Sequence, residues 1–198
     1  MKDYKCTKNT KGCANQRGVP GYKLPDCCRA HLMDIMIHMP YILSGINYWM
    51  DFGTLLGMTR EGKIMEHDDD VDFSVLEGSY DLNALKLRAE ECGFWLDDAM
   101  PTLLRVRYSK INDLHSDIWV WKNENGILTH RAYAVNQYFD IGLITPVVPQ
   151  EYFGVEFLVP NDINKFLTVR YDDWKTPRKA SEGWTPDMGK IPLKNVRP

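Results

Sequence analysis

The stretch that decides the fold runs Asp68-Asp69-Asp70-Val71-Asp72-Phe73-Ser74-Val75-Leu76. From Asp69 onward the side chains alternate with period two, as in a β-strand with one buried face. In such a strand Asp70 and Asp72 project to one face, with Cα atoms about 6.5–7 Å apart. Asp68 shares their parity, and Asp69 points the other way. Two carboxylates aimed into one cleft repel each other unless a cation sits between them. Oxygen ligands suit Mg²⁺ or Mn²⁺, which take one or two carboxylates plus substrate phosphates. The competing reading is an acidic surface turn. The alternation and the flanking Val71, Phe73 and Val75 count against it.

Upstream, Asn47 to Asp51 reads as a strand broken at Gly53, and Thr54 opens a short helix. Gly53 lets backbone approach a ligand closely. The N–H groups of the helix start favour an anion, and Arg60 can fork onto a phosphate. Together these residues read as a phosphate cradle beside a divalent metal. Downstream, His115-Ser116-Asp117-Ile118-Trp119 is a second strand pattern. A neighbouring position would bring Asp117 beside Asp70 and Asp72, where it could ligate a metal or take a proton from an attacking hydroxyl. His115 has the same parity; it either lines the site or is a hydrogen-bonded structural histidine. Arg105 and Arg107 share one face of the preceding strand. They balance the carboxylates, contact substrate, or form plain surface ion pairs.

The rest of the chain fits a mixed α+β domain. Cys28 to Ile46 has helical period, with Pro40 expected to kink or interrupt it. Leu82 to Cys92 reads as an amphipathic helix closed by Gly93. Further strands are expected at Leu103–Tyr108, His115–Trp121, Gly126–Ala132 and Asp140–Ile144. A last helix, capped by Asn161 or Asp162, runs to Tyr171. The 198 residues are 44% hydrophobic and 12% aromatic, enough for one domain with a real core. No apolar run approaches the ~20 residues of a membrane span. No apolar stretch behind Met1-Lys2-Asp3-Tyr4 suggests a signal peptide.

Lys plus Arg number 24 and Asp plus Glu 27, a net charge of −3 that argues against a basic nucleic-acid binder. The distribution is uneven: residues 1–30 carry +5, residues 31–164 carry −12 and residues 165–198 carry +4. Cys6, Cys13, Cys27 and Cys28 fall in the first of these segments, which is poor in hydrophobic residues and needs a staple. Four thiolates match a closed tetrahedral structural zinc site; two disulfides are the alternative. Without a visible secretory signal, metal is favoured. The expected organisation is a zinc-binding loop over 1–30 and a catalytic domain over 31–198, together one compact unit.

The run Tyr48-Trp49-Met50-Asp51-Phe52-Gly53-Thr54-Leu55-Leu56-Gly57-Met58-Thr59-Arg60, ending in Asp68-Asp69-Asp70-Val71-Asp72, resembles the signature of LicD-type phosphotransferases. That family includes fukutin and fukutin-related protein. The likeness leans toward the latter through Arg105-Val106-Arg107-Tyr108-Ser109, Leu114-His115-Ser116-Asp117-Ile118-Trp119, the cysteine loop, and Phe157-Leu158-Val159-Pro160-Asn161-Asp162 with Tyr171-Asp172-Asp173-Trp174. In this last stretch Asp172 stands where the family commonly has glycine.

The resemblance implies a nucleotidyltransferase-like fold, a mixed sheet flanked by helices. It implies transfer of a phospho-alcohol (ribitol phosphate, glycerol phosphate or phosphocholine) from a CDP-activated donor to a glycan hydroxyl, with release of CMP. By position, Asp70 and Asp72 would hold Mg²⁺ (or Mn²⁺), Asp68 would support them, and Asp117 would be the third acidic residue. Gly53, Thr54 and Arg60 would meet donor phosphates, with His115, Arg105 and Arg107 as further substrate contacts. The alternatives are a nucleotidyltransferase that releases pyrophosphate, and a catalytically silent zinc-stapled module. A cytoplasmic location is expected unless the chain is an excised catalytic domain of a Golgi-type protein.

Overall fold

The computed structural model describes residues 6–11, 23–132 and 135–177. Helix α1 (Asp26–Ile42) leads into β1 (Tyr48–Met50), α2 (Phe52–Glu61), β2 (Asp70–Leu76) and α3 (Leu82–Glu91). Then follow β3 (Trp95–Met100), β4 (Leu103–Arg107), β5 (His115–Glu124), β6 (Ile127–Ala132) and β7 (Val135–Asp140). The hairpin β8 (Val148–Tyr152) and β9 (Val155–Val159) precedes α4 (Ile163–Tyr171). The main sheet has the order β1-β2-β5-β4-β3, with β6 on β5 and β7 on β6. β2 and β5 pair in parallel, and α3 with the β3–β4 hairpin forms the crossover that a parallel pair requires. The other pairs are antiparallel. The fold is thus α+β with a mixed sheet, as the sequence pattern indicates. No described helix is long and apolar enough to cross a membrane.

Strand parity sorts the two faces of the sheet. Val71, Phe73 and Val75 of β2 are fully buried. Phe73 packs on Tyr48 and on Phe157 of β9. Leu32, Ile35, Met36 and Met39 of α1 are fully buried in the same apolar core. The opposite parity carries Asp70, Asp72 and Ser74. Here the neighbours are polar and aromatic: the Trp119 indole donates to Asp72, and the Trp121 indole donates to Ser74. The short helices are fixed by side-chain caps. Asp81 accepts from Asn83 N and Ala84 N at the start of α3, and Asp162 accepts from Lys165 N at the start of α4.

Several elements differ from the sequence reading. Helix α1 stops at Ile42 rather than Ile46. Pro40 sits inside its last turn and has no N–H for the Met36 carbonyl, so the helix survives only two residues further. The strand expected over Asp140–Ile144 is the end of β7 followed by a 3₁₀ turn at Ile141–Leu143. The Asp140 carboxylate accepts from Gly142 N at 2.7 Å, and this capping bond outcompetes the alternation. Strands β3, β7, β8 and β9 go unread in the sequence. The β8–β9 connection is the two-residue turn Phe153-Gly154, both at positive φ. That geometry normally announces itself with Asn-Gly, and Phe153 hides it. Cys13 and the tail after residue 177 lie outside the described residues.

Asp172 closes α4 at φ 60°, ψ −110°, a combination that glycine reaches freely and a β-carbon resists. Strain of this kind costs on the order of 1–3 kcal/mol. Asp172→Gly is therefore expected to stabilise the protein by about 1 kcal/mol, net of the entropy of the freer unfolded chain. A urea midpoint that does not rise would show that Asp172 gains an offsetting interaction.

Candidate active site

The site is built by register. Across the parallel pair, Asp70 lies opposite His115 and Asp72 opposite Asp117. On the far side of β5, Arg105 faces Asp117 and Arg107 faces His115. Two rows therefore cross the same sheet face: Asp72, Asp117, Arg105, Asp97 in one, and Asp70, His115, Arg107, Trp95 in the other. Ligand atoms of Asp70, His115 and Asp117 all lie within 4.8 Å of one another, which is metal-binding reach.

His115 is oriented for that role. Its Nδ1 lies 2.7 Å from the Asp113 carbonyl oxygen. A carbonyl only accepts, so Nδ1 carries the proton and a neutral ring leaves its lone pair on Nε2. Nε2 is buried and makes no hydrogen bond, although Asp117 Oδ1 is 3.2 Å away. Burial alone would lower the His115 pKa, but Asp117 and Asp70 more than reverse this and hold it above the ordinary value. Burial would likewise raise Asp117, but His115 and the Arg105 guanidinium keep its carboxyl below the usual range. Arg105 Nε donates to Asp117 Oδ1 at 2.8 Å.

The other carboxylates behave in the opposite sense. Burial, then the nearby Asp70 and Asp117, pushes Asp72 well above the ordinary carboxylate range. Asp68 is raised well above it for the same reason, burial first and then Asp70 and Asp69. Several carboxylates crowded into a dry space, two of them reluctant to ionise, form an environment that a divalent cation relieves. A cation held by Asp70, His115 and Asp117 fits the buried, unbonded Nε2. It differs from the expected Asp70–Asp72–Asp68 set in drawing two ligands from β5.

The phosphate-cradle residues have defined places. Thr54 is 1% exposed, and its Oγ1 accepts from Asp72 N at 2.7 Å. A β-carbon on Gly53 would sit 3.0 Å from Asp68 Oδ2, so the missing side chain makes room for that carboxylate. Arg60 lies at the far end of α2, eight residues on from Phe52, or about 12 Å along the axis. Its guanidinium donates to Glu61 at 2.7 Å, to Met65 Sδ at 3.2 Å and to the Trp174 carbonyl at 3.4 Å. It still pulls on the Asp68 pKa electrostatically. Arg107 is engaged by Asp97 at 2.5 Å.

One residue with a central place had no role in the sequence reading. Asp51 is fully buried and caps α2, and its carboxylate accepts from Phe52 N, Trp49 Nε1 and Ser74 Oγ. Arg170 of α4 pairs with it at 2.8 Å. The available signal was an acid directly before the Phe52-Gly53 break. In the cysteine segment, Cys6 and Cys28 are buried. Cys27 and Cys28 Sγ lie 4.0 Å apart, and Asn112 donates to Cys6 Sγ at 3.6 Å. Lys8 donates to the Gly93 carbonyl and sits over the Phe94 and Tyr108 rings, docking this segment on the domain.

On this mixed sheet the Asp-x-Asp strand β2 lies beside β5, which carries a third aspartate. Residues 45–162 match the family model for the LicD/FKTN/FKRP nucleotidyltransferase domain. The chain belongs to this family. It is 29% identical over 160 residues to ribitol 5-phosphate transferase FKRP of Homo sapiens, covering 74% of this chain and 32% of that one. The Mus musculus protein of the same name matches equally, at 29% over 160 residues and the same coverage. An uncharacterised protein of Rickettsia typhi is 24% identical over 138 residues, covering 66% of this chain and 41% of that protein. The chain thus spans about a third of the length of the FKRP relatives it matches. Among solved structures, ANT(2″)-Ia with adenylyl-2″-tobramycin is similar with TM-score 0.45 and 12% identity, over 83% of this chain and 87% of that one.

Alanine is a better helix former than glycine, so Gly53→Ala should leave the fold intact while displacing Asp68 by a few tenths of an ångström. It is expected to weaken Mn²⁺ binding about 10-fold, the scale of disturbed supporting groups around a metal. Calorimetric titration checks this; unchanged affinity would separate Asp68 from the metal site.

Proposed function

We propose that this chain transfers a phospho-alcohol of the ribitol 5-phosphate class from a CDP-activated donor to a glycan hydroxyl, releasing CMP, with a divalent cation. The convergence of Asp70, His115 and Asp117 on adjacent parallel strands carries the reading. The similarity to proteins named ribitol 5-phosphate transferase supports the choice of alcohol.

A bound Mn²⁺ or Mg²⁺ would offset negative charge on the donor diphosphate. Asp70, His115 and Asp117 would hold it. Asp72 and Asp68 adjoin that set. Arg105 keeps Asp117 ionised, so Asp117 serves as a ligand first. Gly53 and Thr54 fix the turn next to the carboxylates, Gly53 by leaving room for Asp68 and Thr54 by holding the Asp72 amide. Arg107 and Arg60 lie at the edges, ion-paired with Asp97 and Glu61. In the reaction the acceptor oxygen bonds to the phosphorus of the phospho-alcohol as the bond to the CMP phosphate breaks. The hydroxyl proton passes to a carboxylate of the cluster. Such transfer is mostly positioning and charge stabilisation. The same reading gives Cys6, Cys13, Cys27 and Cys28 a structural zinc ion that ties residues 1–30 to the catalytic unit of 31–198.

The test is a panel of CDP-ribitol, CDP-glycerol and CDP-choline with glycan acceptors, with Mn²⁺ or Mg²⁺ and with chelator. CMP release that is metal-dependent and greatest with CDP-ribitol is expected. Pyrophosphate released from CTP or ATP, with no CMP from any CDP-alcohol, would overturn the reading. A second measurement separates the roles of Asp117. Asp117→Asn is expected to cut turnover by about 10²-fold and to raise the metal concentration needed for half-maximal rate. A loss of turnover at an unchanged metal requirement would make Asp117 a proton acceptor instead.

A further inference from the structure

We infer that Arg170, on the closing helix α4, is a positioning residue for the active site: it holds the Asp51–Phe52 turn that places Gly53 and Thr54, and through them Asp68 and Asp72. The inference rests on the reading of those carboxylates as part of a metal site.

The chain of contacts is continuous. Arg170 Nη2 lies 2.8 Å from Asp51 Oδ1, and the pair is shut away from water, with side chains 4% and 0% exposed. The same Oδ1 accepts from Phe52 N at 2.7 Å. Asp51 Oδ2 accepts from Ser74 Oγ at 2.7 Å and Trp49 Nε1 at 3.1 Å. Asp51 N donates to the Asp72 carbonyl at 3.1 Å. Three residues on, Thr54 Oγ1 accepts from Asp72 N at 2.7 Å. The Asp72 backbone is thus gripped on both sides by one turn, and Gly53 in that turn abuts Asp68.

The turn does not hold itself. Phe52 stands at φ 45°, a region that favours glycine, so the backbone there has a tendency to relax. Arg170 opposes this in two ways. Its guanidinium neutralises the buried Asp51, and its Cζ lies over the Phe52 ring at 3.8 Å from the centroid. Phe139 and Phe166 flank the same guanidinium at 4.6 and 5.1 Å. One side chain therefore touches both the residue that carries the charge and the residue that carries the strain. Lysine keeps the charge but not the planar fork, so it can serve only one of the two. Asp51 and the three rings occupy the guanidinium, so Arg170 acts through the turn.

The test compares the full chain with Arg170→Lys and Arg170→Met by amide hydrogen exchange and by Mn²⁺ titration. In Arg170→Lys, exchange over residues 51–57 and 68–76 is expected to rise about 10-fold while 82–107 stays unchanged, because local opening is confined to the unit that lost its restraint. Mn²⁺ affinity falls with it, on the order of 10-fold. Arg170→Met goes further in both measures, and where it fails to fold, Arg170→Lys decides alone. Exchange in 51–57 that is unchanged, or that rises equally across the protein, would reduce Arg170 to a plain stabilising contact and overturn the inference. If the unaltered chain binds no Mn²⁺, the metal reading fails by itself, and the exchange pattern still decides whether Arg170 sets the turn.

Discussion

Parallel pairing of β2 with β5 sets Asp72 beside Asp117 and Asp70 beside His115, and the surroundings follow from what that crowding demands. Neighbouring strands lie about 4.8 Å apart, so carboxylates in one register row cannot avoid each other. In a site with little water they cannot all ionise at ordinary pH. The protein resolves this unevenly. Arg105 and His115 hold Asp117 ionised, while burial leaves Asp72 and Asp68 with strongly raised pKa values. The imidazole of His115 is the hinge of the arrangement. Its Nδ1 proton is fixed on the Asp113 carbonyl, which turns Nε2 toward Asp117.

This polar row is tolerable only because the opposite parity of β2 is so thoroughly apolar. Val71, Phe73 and Val75 anchor the strand in the main core and fix its register. The site face can then carry charge without risk of a slip. It is closed from the side by a second layer in which indoles of Trp119 and Trp121 satisfy Asp72 and Ser74. Asp51 joins the two layers, bonded to β1 through Trp49, to β2 through Ser74 and to α4 through Arg170. A buried carboxylate with that many partners is costly to break, because any one loss leaves charge or polarity stranded.

Legibility followed the range of the forces involved. Asp70, Asp72, Asp117 and the parity of His115 could be read because period-two alternation is local. The helices α3 and α4 could be read because their caps, Asp81 and Asp162, sit next to their own apolar periods. The partner of Asp51 could not. Arg170 comes from the other end of the described chain, and no local pattern links a helix arginine to a strand-end aspartate. The roles of Gly53 and Thr54 shifted for a similar reason: helix-start chemistry suggested an anion, whereas tertiary packing puts the Asp68 carboxylate and the Asp72 amide there. Strand β3 escaped notice because its register shifts between Asp97 and Met100, which breaks the alternation. The glycine-like conformation of Asp172 was hinted at only by the family resemblance.

The charge distribution takes on a different meaning with these contacts in place. Residues 31–164 carry a net −12. Pairs such as Lys86–Asp98 and Lys122–Glu124 are well exposed and contribute little. What matters is the subset on one sheet face: Asp68, Asp70, Asp72 and Asp117, with Arg105 the cation bonded to Asp117. The C-terminal segment, residues 165–198, carries +4. Its second cation, Arg170, turns inward and neutralises Asp51. That choice leaves the clustered carboxylates without its charge while stabilising the turn beside them. An interior arranged this way keeps its negative potential where a divalent cation and a diphosphate would meet, and keeps the frame around it rigid.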